Sequence, residues 1–170
     1  GILLYDAGRR AFKQPRELTP KERLNRASED FQYWYKSANE FLVDFYAPFE
    51  RGSYAKAAFE LHQATERFYA ALLLVHTGYK PHTHDLEKLN NEAAIHEREV
   101  LAVFPKETEE ENRRFELLRK AYVDARYKKS YTITREELEW LSNRVERLRE
   151  LTEKSCRAKI AGYAAVAGQK

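Results

Sequence analysis

The chain has 170 residues, of which 43% are hydrophobic, 34% are charged and 13% are aromatic. This length and mixture are typical of one folded domain and exclude an intrinsically disordered chain. The single cysteine excludes a disulfide framework and a cysteine-rich zinc site. The net charge of +3 does not by itself indicate a nucleic-acid-binding protein.

The sequence carries no targeting or membrane signal. No apolar run approaches the roughly 20 residues that a membrane-spanning helix needs. The early cations Arg9, Arg10 and Lys13 follow the first apolar stretch, whereas a signal peptide carries its cations before that stretch. A lone Cys156 is typical of a reducing compartment. We therefore predict a soluble cytoplasmic protein with no membrane partner.

The first residues resemble a strand more than a helix. Ile2 to Tyr5 are apolar and are followed by Asp6-Ala7-Gly8, a pattern that predicts a short strand and a turn. A single strand needs a sheet to pair with, and the sequence contains no Met, even at position 1. We therefore expect residues 1–18 to be the remnant of a preceding domain and its linker.

Helix-start signals and apolar periodicity dominate the rest of the chain. Thr19, Thr108 and Thr134 are each followed three residues later by Glu, which is the capping-box pattern of a helix N-terminus. Apolar residues recur every three or four positions, and the predicted helices span 19–48, 53–78, Thr83 or Asp85 to before Pro105, 108–126 and 134–160. The second helix is apolar around most of its circumference, which predicts a central, buried position.

These elements predict an all-α fold. We expect an antiparallel bundle of four to five helices with a short N-terminal extended segment. The bundle occupies residues 19–161, and residues 127–133 form an extended loop between its last two helices. Residues 162–170 are expected to be a frayed tail.

All five histidines lie between positions 62 and 96. His62 and Glu66 are neighbours at i and i+4 on the second helix. They form either a ligand-binding pair or a hydrogen-bonded pair at the rim of the core. His84 lies in a turn where Thr83 or Asp85 caps a helix; the alternative is a metal site completed by Glu66 or His62. We predict no metal and no cofactor.

Charge is concentrated between Arg113 and Arg135. This stretch holds eight cations and two anions, with tyrosines interleaved. Cations with aromatic rings suit phosphates and unstacked bases. A solvated helix end followed by a basic loop gives the same pattern, so both interpretations remain open.

Three segments carry a family resemblance. Residues 57–67 (AAFELHQATER), 83–86 (THDL) and 122–127 (YVDARY) resemble, in order and spacing, three blocks of the HEPN domain family. The resemblance covers roughly residues 25 to 160. Residues 1–6 (GILLYD) are similar to the closing strand of a minimal nucleotidyltransferase domain, which is often fused ahead of HEPN domains. The resemblance implies an all-α, usually dimeric bundle that handles nucleotides or RNA.

The resemblance also raises the question of catalysis. Many members are metal-independent ribonucleases with an Arg, four to six residues, and then a His that takes the 2′-hydroxyl proton while the Arg holds the phosphate. No His follows an Arg at that spacing in this chain, and after Arg126 the position holds Tyr131. Tyrosine, with an ordinary pKa near ~10, is a poor base at pH 7.

We therefore predict a domain that binds a nucleotide or RNA, acts with a fused nucleotidyltransferase domain of the same chain, and has no catalytic activity of its own. The parent protein would be the nucleotidyltransferase. The alternatives are a metal-independent, toxin-type endoribonuclease with His62 or His84 as its base, and a plain dimerisation module. The candidate ligand-binding residues are Arg126, Lys128, Lys129, Tyr127, Tyr131, His62, Glu66 and His84.

Overall fold

The computed structural model describes residues 16–169, and within them the chain forms helices and no strand. The elements are α1 Pro20–Glu50, α2 Tyr54–Thr77, α3 Leu86–His96, a 3₁₀ helix Arg98–Ala102, α4 Glu109–Lys120, α5 Asp124–Tyr127 and α6 Arg135–Ala167. The prediction of an all-α fold is confirmed. The predicted strand Ile2–Tyr5 lies outside the described residues.

The predicted helix starts rest on real caps. At Thr19 the hydroxyl oxygen accepts from the Glu22 N–H, and the Glu22 carboxylate accepts from the Thr19 N–H. Thr134 forms the same reciprocal pair with the glutamate three residues later. At Thr108 only half of the box forms, because the Glu111 carboxylate accepts from another backbone N–H. Each cap satisfies N–H groups that the helix itself leaves free.

The predicted fourth helix is divided into α4 and α5. The N–H of Ala121 bonds to the Leu118 carbonyl and that of Val123 to the Lys120 carbonyl, both tight i to i−3 bonds that interrupt the α-helical ladder. The periodicity of the sequence continues through this point, so it gave no sign of the break. The turn redirects the chain and brings Tyr122 against α2.

The last helix is longer than predicted. Residues 162–167, expected to be a frayed tail, are the last turns of α6. Tyr163 explains this extension, because its hydroxyl donates to the Val75 carbonyl at 3.0 Å, at the end of α2. One partly buried aromatic side chain therefore secures the helix beyond the predicted end.

The predicted central position of α2 is confirmed. Fourteen of its 24 residues are buried, against seven of 31 in α1. α1 and α2 form an antiparallel pair across the short turn 51–53. Contacts of Glu50 with Arg135 and of Tyr35 with Glu153 show that α6 is antiparallel to α1 and runs in the same direction as α2. The intervening elements α3 to α5 make this crossover.

The segment 78–85 turns back along α2. Gly78 ends α2 with a φ of +74°, a left-handed conformation that glycine adopts without strain. The segment ends where Asp85 caps α3 by accepting from the Glu87 N–H at 3.0 Å. Asp85 is thus the cap, one of the two predicted alternatives. None of the helices in residues 16–169 is long and apolar enough to cross a membrane.

Candidate functional site

The path of segment 78–85 places His84 beside Glu66 of α2. The Nδ1 atom of His84 lies 3.0 Å from both carboxylate oxygens of Glu66. The His84 side chain is 53% exposed, and that of Glu66 is 17% exposed. Because a carboxylate can only accept, the Nδ1 N–H of His84 is the donor in this pair.

His62 binds the backbone carbonyl of His84. Its Nε2 atom lies 3.1 Å from the His84 carbonyl oxygen, so Nε2 is the donor and Nδ1 has no proton. The ring is completely buried, and this burial lowers the pKa of His62 to about 4. The 3.7 Å between His62 Nδ1 and Glu66 is therefore not an ion pair at neutral pH. The sequence allowed two interpretations of the His62–Glu66 pair. In the structure His62 lies in the core, and Glu66 pairs with His84 instead of with His62.

Tyr122 connects this pair to the basic segment. Its ring stacks on His84, with centroids 3.9 Å apart and planes 15° apart. The ring of Phe59 lies 6.4 Å away on α2. The turn between α4 and α5 is what points Tyr122 at α2, and the tyrosine brings the histidine and α5 to one site.

Arg126 of α5 lies over three aromatic rings. Its Cζ atom is 4.7 Å from the centroids of Phe59 and Tyr122 and 5.0 Å from that of Tyr127. Its Nε atom donates to the Tyr122 carbonyl at 2.7 Å. No carboxylate in residues 16–169 forms an ion pair with it. The side chain is exposed, so its terminal N–H groups are oriented and available to an anion.

A cleft of about 770 Å³ opens at Arg126. Its walls come from the first turns of α2 and from α5, and they include Tyr54, Lys56, Phe59, Glu60 and Arg126. Burial raises the pKa of the Glu60 carboxyl. The cleft therefore combines aromatic surface with two cations, and it is wide enough for a small ligand.

The remaining predicted residues follow Arg126 in the chain. Tyr127 is 73% exposed at the edge of the site. Lys128 pairs with Asp124 at 3.2 Å, and Lys129 is exposed. Tyr131 is partly buried, its hydroxyl donates to the Leu117 carbonyl at 2.7 Å, and burial raises its pKa. The Tyr131 hydroxyl is thus occupied within the fold.

Three residues in or beside the site were not among the candidate ligand-binding residues: Phe59, Tyr122 and Arg119. Phe59 and Tyr122 stand in the segments that carry the family resemblance, and that signal was available. The Nε and Nη2 atoms of Arg119 donate to the Asp85 carboxylate at 3.2 and 3.1 Å and fix the start of α3 against α4. In residues 16–169 no three His, Cys, Asp or Glu side chains are grouped to hold a metal ion.

Comparison with known proteins identifies the family of the chain. No curated protein matches the sequence. The family model described as HEPN domain matches residues 31–155, from the middle of α1 to the later turns of α6. That match spans every residue of the site described above and well over half of the chain. The protein therefore belongs to the HEPN domain family.

Proposed function

We propose that this domain binds a nucleotide or RNA through its phosphate in the cleft at Arg126 and carries out no chemistry of its own. Membership of the HEPN family is consistent with a role in nucleotide or RNA handling. The observation that carries the proposal is the guanidinium of Arg126, which is held on three rings at the mouth of a cleft.

This arrangement suits a phosphate for two reasons. The guanidinium is planar and matches two phosphate oxygens at once. The rings and the bond to the Tyr122 carbonyl restrict the side chain before binding, so less conformational entropy is lost when a phosphate arrives. A charge-assisted hydrogen bond of this kind contributes about 1.5–3 kcal/mol.

The surroundings of Arg126 suit the rest of a nucleotide. Tyr127 presents an exposed ring, and stacking of a base on such a ring contributes about 1–3 kcal/mol. Lys56 in the cleft and Lys129 in the following loop add positive charge that attracts a polyanion over a longer range, whereas the charge of Lys128 is balanced by Asp124.

Calorimetric titration with a panel of nucleotides and short RNAs tests the proposal. Arg126→Ala is expected to weaken binding by about tenfold or more, and Arg126→Lys by less, because the ammonium keeps the charge but loses the two-pronged geometry. Arg157→Gln is the matched control, since Arg157 also lies over a ring, 5.2 Å from the centroid of Phe31. Equal heats for the wild type and Arg126→Ala, or no binding to any ligand, would contradict the proposal.

A second candidate function, a metal-independent ribonuclease, is favoured by the His84–Glu66 pair. Glu66 fixes the tautomer of His84 so that Nε2 is free to accept a proton. In this hypothesis His84 takes the 2′-hydroxyl proton, and the 2′-oxygen attacks the phosphorus to form a 2′,3′-cyclic phosphate. The 5′-oxygen leaves with a proton from water, and the resulting hydroxide takes the proton back from His84. Arg126 would hold the phosphate.

Cleavage of single-stranded RNA in EDTA separates the two candidates. Activity that is lost in both His84→Ala and Arg126→Ala, and reduced in Glu66→Gln, supports the ribonuclease. RNA that binds but stays intact supports the binding domain. Arg157→Gln again controls for a general loss of positive charge.

The proposal also includes a fused domain, an oligomeric state and a cellular location. We infer a fused nucleotidyltransferase domain in the same chain from the resemblance of residues 1–6, and a homodimer and a cytoplasmic location from the family resemblance and the lone cysteine. Sedimentation analysis tests the dimer. A sedimentation coefficient that matches one chain at all concentrations would contradict the proposed homodimer.

A further inference from the structure

A second cluster of cations lies over an aromatic ring on the same side of α2. The Arg67 Cζ atom is 5.3 Å from the ring of Trp34 and 4.9 Å from that of Phe41. The Lys80 Nζ atom is 5.0 Å from the same indole. Neither cation forms an ion pair with a carboxylate in residues 16–169. This Trp34 cluster thus repeats the chemistry found at Arg126, with cations oriented by rings.

Helical spacing relates the two groups. Phe59, Gln63 and Arg67 follow one another at i+4, so they form one stripe along α2. Phe59 contacts Arg126 at one end of the stripe, and Arg67 belongs to the Trp34 cluster at the other. Eight residues of helix separate these ends, a rise of about 12 Å.

We propose that the ligand is a single-stranded nucleic acid several nucleotides long, with one phosphate at Arg126 and another at the Trp34 cluster. This inference rests on the proposed function and adds the class of ligand. The positions of Phe59 and Arg67 are about 12 Å apart along the axis of α2, so a single phosphate contacts one group of cations and not the other. A strand supplies phosphates at both, and single-strand-binding sites generally pair cations with aromatic surfaces in this way.

Binding of a length series tests the inference. The probes are 5′-phosphorylated RNAs of one, two, four and six nucleotides, with DNA of the same lengths, titrated by calorimetry or fluorescence anisotropy. For the wild type, affinity is expected to rise by about tenfold between one and four nucleotides. Arg67→Gln with Lys80→Gln is expected to remove this gain and to leave mononucleotide binding unchanged.

A single variant and the salt dependence of binding provide two further tests. Lys80→Gln alone removes one partly exposed cation and is the milder change if Arg67→Gln disturbs packing on Trp34. It is expected to lower the slope of log affinity against log salt by about 0.7 for the four-nucleotide RNA. Arg157→Gln is expected to leave both the length series and the slope unchanged.

The outcomes separate this inference from the proposed function. Equal affinity for one and four nucleotides, or a length gain that survives in the double variant, overturns the inference while binding at Arg126 stands. Absence of binding at every length contradicts the proposed function itself. RNA and DNA results that agree point to recognition of phosphates and bases, and a preference for RNA adds a contact to the 2′-hydroxyl.

Discussion

The pH dependence of stability should carry a clear contribution from His62. Its imidazole is completely buried and donates from Nε2 to the His84 carbonyl oxygen. Burial lowers its pKa from the ordinary 6.5 to about 4. His62→Gln is the informative perturbation, because the glutamine amide is also a donor but cannot titrate in this range.

The magnitude follows from the two pKa values. In the unfolded chain His62 takes up a proton near pH 6.5, whereas the folded protein keeps it neutral down to about pH 4. The contribution of neutral His62 to the free energy of unfolding is therefore complete above pH 6.5 and declines as the pH falls toward 4. The total loss is about 3 kcal/mol.

Urea unfolding followed by circular dichroism measures this loss. Midpoints and slopes are determined for the wild type and His62→Gln at several pH values between 7.5 and 4.5. The difference between the two proteins isolates His62, since carboxylates and the other histidines cancel. Relative to His62→Gln, the wild type is expected to lose roughly 2–3 kcal/mol of unfolding free energy between pH 7.5 and 4.5. A difference that stays constant would refute the reasoning, and would mean that Glu66, 3.7 Å from Nδ1, stabilises a charged His62.

Three further predictions concern the rest of the fold. Gly78→Ala, at a φ of +74°, is expected to destabilise the protein by about 1–2 kcal/mol. Gly162→Ala, inside α6 with open space at its Cβ position, is expected to stabilise it by up to about 1 kcal/mol. Urea unfolding compares the two variants, and equal effects on the free energy of unfolding would contradict the conformational argument. Thr134→Ala removes the cap of α6 and is expected to reduce the free energy of unfolding by about 1 kcal/mol; an unchanged urea midpoint would show that the cap is dispensable. Burial raises the pKa of the Cys156 thiol to about 12, so it should react with Ellman's reagent at pH 8 only in urea, and rapid reaction of the folded protein would show that the thiol is accessible.

Local chemistry was sufficient to predict the long helices. Threonine caps and apolar spacing at Thr19 and Thr134 depend on residues within one turn, and both starts are confirmed. The break between α4 and α5 and the extension of α6 were not predictable in this way. The break places Tyr122 against α2. The extension of α6 depends on a hydrogen bond between Tyr163 and Val75, which are 88 residues apart.

The site also depends on tertiary contacts that local sequence patterns do not predict. The sequence placed His62 next to Glu66 because helical spacing makes them neighbours. In the folded chain Glu66 bonds instead to His84, which arrives through the path of segment 78–85. Arg126 was predicted to bind phosphate from the local charge and the family resemblance, and that role stays a prediction. Its contacts with Phe59 and Tyr122 depend on tertiary packing, which local charge does not encode.

Chemical protection of Arg126 tests the central claim most directly. Phenylglyoxal modifies accessible guanidinium groups, and mass spectrometry reads the modification at Arg126 and, as an internal control, at Arg157, whose side chain is 64% exposed. We predict that a short single-stranded RNA in excess slows the modification of Arg126 severalfold and leaves Arg157 unaffected. Equal rates at Arg126 with and without the RNA would contradict the assignment of the cleft as a phosphate-binding site.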